Sequence, residues 1–226
     1  VLDALGVWMD IDRILRGLIY DKGNDLNVWL HHSYNIQFVM CNMLVLLRDK
    51  GYMELDDDDI LDVVVASALH DVGKLAIPVW ILNKPGILNE VEKGIVNLHV
   101  KFGVDIIDVL FASFDMYNIY RLSKELAEFH HENWDGSGYL RSLRGNMIPL
   151  MARICAVADT YVALVENRPY KDPIGHDEAI EIIKSNSGRK FDPDIVDLLV
   201  ANNECINIEP YIGLSFLEVL MRYIGG

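Results

Sequence analysis

The stretch "ILDVVVASALHDVGKLAIP", residues 60–78, sets a helical pattern against a polar ending. Leu61, Val64, Val65, Ala68 and Leu69 recur at helical spacing and share one face. Four aspartates, Asp56 to Asp59, precede them. A metal cluster would use such residues, but we read them as a helix start. A capping aspartate and anionic first-turn residues suit the positive end of a helix dipole. The pattern then meets His70 and Asp71, with Lys74 just beyond Gly73. Successive helical residues point about 100° apart, so two such neighbours converge only at the edge of a site. An aspartate has two oxygens and can bridge two cations, whereas a histidine supplies one neutral nitrogen.

The rest of the chain repeats the helical pattern. Residues 3–20, 30–51, 89–110, 121–132, 151–166, 175–186 and 192–203 each carry apolar residues at helical spacing. Gly51 and Gly73 fall where helices should stop. The segment "VWILNKPGILN", 79–89, has turn chemistry at Pro85-Gly86 and reads as an extended loop. Period-two strands, repeats and low-complexity linkers are lacking. The predicted class is all-α, a bundle of about eight helices. Residues 1–21 read as a connector helix, and 22–226 as the functional domain with its C-terminal helices.

The chain has 226 residues, 51% of them hydrophobic, enough for one sizeable core. Lys and Arg number 20 against 34 Asp and Glu, a net charge of −14. That acidity argues against a long nucleic acid as partner. Cys41, Cys155 and Cys205 are scattered and odd in number, which suits buried thiols in a reducing, cytoplasmic setting. The longest apolar run, "FVMCNMLVLL", 38–47, is too short to span a bilayer, so no membrane contact is expected from this segment. The first residue is valine, and we expect a piece of a longer protein with any sensor or anchor outside it.

Five further residues strengthen the His70-Asp71 pair. His32 lies in "WLHHSYNIQFV", His99 in "VNLHVKFG", His130 and His131 in "HHENWDGSGYL", and Asp159 in "ICAVADTYVAL". An unpaired carboxylate in an apolar helix is costly, so Asp159 needs a partner. Singly, each residue reads as an ordinary core or surface group. Together they offer enough nitrogen and oxygen for a two-metal site.

The motifs "HDVGK", "KPGIL", "HHENWDGSGY", "IPLMARICAVADTY" and "NRPYK" occur in this order, with a late "FDPDIV". In this the chain resembles the HD-GYP branch of the HD-domain metal-dependent phosphohydrolases, over about residues 27–199. The resemblance implies an all-α HD-domain bundle with a GYP-type loop. It also implies hydrolysis of cyclic di-GMP, to linear pGpG or GMP, by a hydroxide that bridges two metals. It assigns the first metal to His32, His70, Asp71 and Asp159, and the second to Asp71, His99, His130 and His131. Iron or manganese are the expected pair of divalent ions. Lys74 matches a lysine near the substrate phosphate and acts in catalysis with Asp71. Arg168 and Lys171 match positions that hold the ligand's far side, with Lys84 at the mouth and Gly138 and Tyr139 in the loop.

Departures from the pattern are equally legible. Leu140 stands where the family has proline, Val28 where some relatives carry a glutamate, and Val162 where an aspartate is common. The two valines point to two metals, not three. His31 and His176 match no ligand position, and His176 reads as a surface residue near a helix start. Trp134 and Tyr139 pack the loop or face a base. Two other functions fit the same residues: a catalytically weak cyclic di-GMP-binding signalling module, and a phosphohydrolase for another cyclic dinucleotide or nucleotide. An upstream sensor domain and a homodimer are compatible with either.

Overall fold

The computed structural model describes residues 2–20, 26–167 and 172–208. It is all-α. Ten α-helices run in order among the described residues: α1 (Leu2–Tyr20), α2 (Leu26–Asp49), α3 (Asp57–Ser67), α4 (Val79–Leu82), α5 (Glu90–Asn97), α6 (His99–Leu110), α7 (Tyr117–Phe129), α8 (Leu150–Val165), α9 (His176–Ser185) and α10 (Pro193–Ala201). Helices α2 and α8 form the centre. From His32 to Met40 every residue of α2 is buried, as are residues 154–158 of α8. A helix buried on all sides needs neighbours on all sides. Helices α3 and α8 pack on α2, α7 packs on α3, α6 and α8, and α9 closes against α8 and α10. Helix α1 joins through Ile11 and Leu15, both in the core, and packs on α2 and α3.

Local chemistry explains the helix ends. Asp56 caps α3 in a reciprocal capping box with Asp59, so the acidic run is a helix start. Asn89 and Glu92 do the same for α5. Gly51, at φ +70°, ends α2 in the left-handed conformation as expected.

Four expectations change. The predicted helix over 89–110 is two helices, because α5 ends at Asn97 and α6 restarts at His99. The predicted loop 79–89 contains the single-turn helix α4. Gly73 does not stop a helix. Helix α3 ends at Ser67, and Gly73 lies in the 3-10 turn Val72–Ala76, where it meets α6 main chain to main chain. A β-carbon there would lie 1.8 Å from the His99 carbonyl oxygen and 2.4 Å from the Gly103 nitrogen. His176 begins α9 as expected but is buried, at 6% exposure, between the Tyr161 hydroxyl and Asn203. Among the described residues no helix is long and apolar enough to cross a membrane.

Gly73→Ala should therefore lower the unfolding free energy by on the order of 3 kcal/mol, as overpacking against a fixed backbone does. Gly94→Ala, in open space on α5, should raise it by roughly 0.5–1 kcal/mol. Urea denaturation of both variants measures the contrast.

Candidate metal centre

Seven side chains from five elements meet in the interior. Asp71 and His70 come from the turn after α3, His99 from the first residue of α6, and His130 from the C-cap of α7. His131 follows it, His32 lies on α2, and Asp159 lies on α8. They fall into two groups, Asp71 with His99, His130 and His131, and His32 with His70 and Asp159. Within each group, ligand-type atoms lie within 4.8 Å of one another.

Asp71 touches both groups. Its Oδ1 is 3.2 Å from His99 Nε2 and 3.7 Å from His130 Nε2, and its Oδ2 is 3.4 Å from His70 Nε2. His32 Nε2 is 3.5 Å from Asp159 Oδ1. Across the groups the His32 and His70 rings are 5.8 Å apart, and the His70 and His130 rings 5.1 Å.

Helix geometry aims the imidazoles. His70, His99 and His130 each direct Nδ1 at a carbonyl one turn back, those of Ser67, Val96 and Leu126, at 2.7–2.8 Å. The tautomer that donates from Nδ1 leaves Nε2 free as a ligand atom. His70 Nε2, His99 Nε2, His130 Nε2 and Asp71 Oδ1 are buried without a hydrogen-bond partner. Buried polar atoms are rarely left so, and these four, three in the Asp71 group and one in the His32 group, fit bound cations.

The electrostatics agree. Burial works to raise the Asp71 carboxyl, but the neighbouring Lys74 cation and the imidazoles of His70 and His130 hold it well below the usual range. Burial likewise acts against the Asp159 carboxylate and is outweighed by His32 and His70. His131 is pushed well below the ordinary imidazole range by burial and by the neighbouring His130. It is therefore neutral, as a ligand must be. His32 goes the other way. Burial disfavours its charge, but hydrogen bonds to Asp159 and Glu166 raise it to about 9.

The other expected site residues are placed as follows. Lys74 pairs with Asp71 at the edge of the cluster. Lys84 is held by Glu92, at 2.6 and 2.8 Å. Tyr139 stacks on His131 with ring centroids 4.8 Å apart, and the Tyr139–Leu140 peptide is cis. Gly138 is required by close approach, since a β-carbon would lie 2.4–2.6 Å from the main chain of residues 131–133. Gly136 is required by its φ of +82°. Trp134 packs the loop under the Arg153 guanidinium, 5.6 Å from its ring. His31 belongs to neither group. Val162 is fully buried in apolar core. Arg168 and Lys171 lie outside the described residues, as does the Val28 side chain.

Sequence reasoning missed the carboxylates that brace the site. Glu132, 2% exposed, accepts from the backbone of Arg141 and Leu143 and closes the loop behind the histidines. Asp192, in "FDPDIV", caps α10 and pairs with Arg153. Glu166 accepts from Asn35 Nδ2 and sits 2.8 Å from His32 Nδ1. Its signal was its position seven residues after Asp159, which places both on one helix face.

Residues 50–195 match the family described as HD domain. The chain belongs to that family. It is 36% identical over 199 residues to the 3'3'-cGAMP-specific phosphodiesterase 2 of Vibrio cholerae, covering 88% of this chain and 37% of that protein. It is 41% identical over 145 residues to a cyclic di-GMP phosphodiesterase of Thermotoga maritima, covering 64% and 38%. The cyclic di-GMP phosphodiesterase response regulator RpfG of Xanthomonas campestris is 39% identical, over 65% of this chain and 37% of that one. The chain thus spans less than two fifths of the length of these curated relatives. A crystal structure of a cyclic GMP-AMP-specific phosphodiesterase of V. cholerae aligns with a TM-score of 0.44 and 17% identity, covering 88% of this chain and 58% of that one.

With its pKa near 9, His32 carries a proton on both nitrogens at neutral pH in the metal-free chain. A cation at Nε2 replaces one of them, so Mn²⁺ uptake at this group should release about one proton near neutrality and fewer above pH 9. Calorimetric titration in buffers of different ionisation enthalpy counts the protons. The sign for folding follows from the same upward shift. The stabilisation is complete below the unfolded pKa of about 6.5 and is lost as pH rises through about 9.

Proposed function

We propose that this domain is a metal-dependent cyclic dinucleotide phosphodiesterase of the HD-GYP branch, with cyclic di-GMP as substrate. The observation that carries this reading is the pair of histidine–carboxylate groups, with Asp71 in one and 3.4 Å from His70 of the other, each with buried atoms in need of a cation. The names of the relatives supply the substrate class.

In this reading His32, His70, Asp159 and Asp71 would hold one divalent ion, and Asp71, His99, His130 and His131 would hold the other. Iron or manganese suit the mixed nitrogen and oxygen donors. Bound there, such ions would supply Lewis-acid polarisation of the phosphoryl oxygens and a water of lowered pKa as nucleophile. The chain's own groups do the rest. Lys74, beside Asp71, meets the charge that grows on the phosphoryl oxygens. Tyr139 packs against His131 and, with Gly138, shapes the wall on which a base rests. Arg168, Lys171 and Lys84 draw in and hold the anionic ligand, which a chain of net charge −14 would otherwise repel. Three free cysteines suit a cytoplasmic setting. This reading is compatible with residues 1–21 as a connector to an upstream sensor domain and with a homodimer.

A second reading has its own support. The relative that aligns over 88% of this chain is named as specific for 3'3'-cGAMP. The two dinucleotides share the ring of two phosphodiesters and differ in one base. The phosphate-side chemistry is therefore common to both, and the wall around Tyr139 decides between them.

Protein loaded with Mn²⁺ or Fe²⁺ should bind two ions per chain and cleave cyclic di-GMP to pGpG or GMP, read by chromatography. Asp71→Ala should lose both metals and turnover while its helical circular dichroism persists. Arg168→Ala and Lys171→Ala should weaken substrate binding about tenfold or more with metal content unchanged, as loss of a charged hydrogen bond does. Cleavage of 3'3'-cGAMP alone would move the assignment to the second reading. Tight binding of either dinucleotide without cleavage would make the domain a signalling module.

A further inference from the structure

Glu166 stands at the C-cap of α8, seven residues and about two turns beyond Asp159. Both carboxylates therefore leave one face of the helix, and both reach the same imidazole. Asp159 faces His32 Nε2, and Glu166 faces His32 Nδ1. The other Glu166 oxygen is taken by Asn35, which lies at 2.5 Å and one turn after His32 on α2. The His32 and Glu166 side chains are only 9% and 12% exposed. The bond between them is thus sheltered from water on both sides.

This arrangement sets His32 apart. His70, His99 and His130 take their orientation from neutral carbonyls of their own helical turns. His32 takes its orientation from an anion on a different helix. A carboxylate behind an imidazole fixes its tautomer and strengthens its far nitrogen as a donor. It also places an extra negative charge behind one of the two groups and not the other. Val162 lies one turn earlier on α8 and is buried in core, so Glu166 is the carboxylate at this end of α8 that meets the imidazole.

We propose that Glu166 is a positioning residue that sets the cation affinity of the His32–His70–Asp159 group separately from that of the second group. The proposal rests on the two-metal reading above but not on the choice of substrate.

The test is Co²⁺ binding to the metal-free full chain, followed by calorimetric titration and by anomalous diffraction at the cobalt edge, which reads each group's occupancy. Glu166→Ala should weaken Co²⁺ at the His32 group by about 10–100-fold and leave the Asp71–His99–His130–His131 group within about twofold. Glu166→Gln, nearly the same shape without the charge, should fall between it and the native chain, and it decides the matter if the alanine variant does not fold. Asn35→Ala removes the other hydrogen bond of Glu166 and should keep native affinity at both groups. Native affinity in Glu166→Gln and Glu166→Ala would overturn the proposal. So would equal losses at both groups, or a loss in Asn35→Ala as large as in Glu166→Ala, since the helix tie would then matter and not the charge. The expected Co²⁺ pattern in a chain that cleaves no cyclic dinucleotide would uphold the proposal and remove only the substrate assignment. A native chain that takes up no Co²⁺ would overturn both.

Discussion

A single buried carboxylate organises the molecule. The Asp71 side chain is 4% exposed, and an anion so far from water must be compensated within a few ångströms. Lys74, His70, His99 and His130 surround it, and each arrives on a different stretch of chain or a different turn. For this to happen, α3 has to end at Ser67 so that the following turn can lower His70 and Asp71 into the centre. Helix α6 has to begin at His99, and α7 has to end at His130. The helix boundaries are thus dictated by where the charge sits. The long central helices α2 and α8 supply the apolar surroundings that make its compensation strong.

Much of this was legible in the sequence. Hydrophobic spacing located the helical segments, and the acidic run at 56–59 was correctly read as a cap. The gathering of His32, His70, Asp71, His99, His130, His131 and Asp159 could be expected from their residue types and from the order of motifs. What escaped was set by tertiary contact. The break at Leu98 has no glycine or proline beside it to announce it, and both flanking segments favour helix. Gly73 resembled a helix stop, since close approach of two backbones leaves the same glycine in a sequence as a left-handed turn does. His176 looked like a surface group because its partners, Tyr161 and Asn203, are 15 and 27 residues away. Glu166 was overlooked for a related reason. Its value depends on His32, 134 residues earlier in the chain.

The loop after His131 is held from several directions at once. The main chain of Trp134 and Asp135 donates to the carbonyls of Lys190 and Arg189. Arg153 lies over Trp134 and reaches Asp192, which caps α10. Glu132 anchors the return strand of the loop through two backbone amides. Motifs far apart in the sequence, "HHENWDGSGY" and "FDPDIV", therefore act as one mechanical unit. This unit supports His131 through the stacked Tyr139 ring. A leucine at 140 is accommodated within it, half of its surface facing solvent, at 47% exposure.

The contact at Gly73 bears on how such a chain changes over time. Spacing between Asp71 and His99 is set where two main chains abut, with no side chain between them as a cushion. Core residues behind that stop can be exchanged for others of different bulk, and the slack is taken up elsewhere in the bundle. The separation of carboxylate and imidazole is then inherited unchanged. A lineage can redraw most of its interior while the distance that matters stays pinned by a missing methyl group.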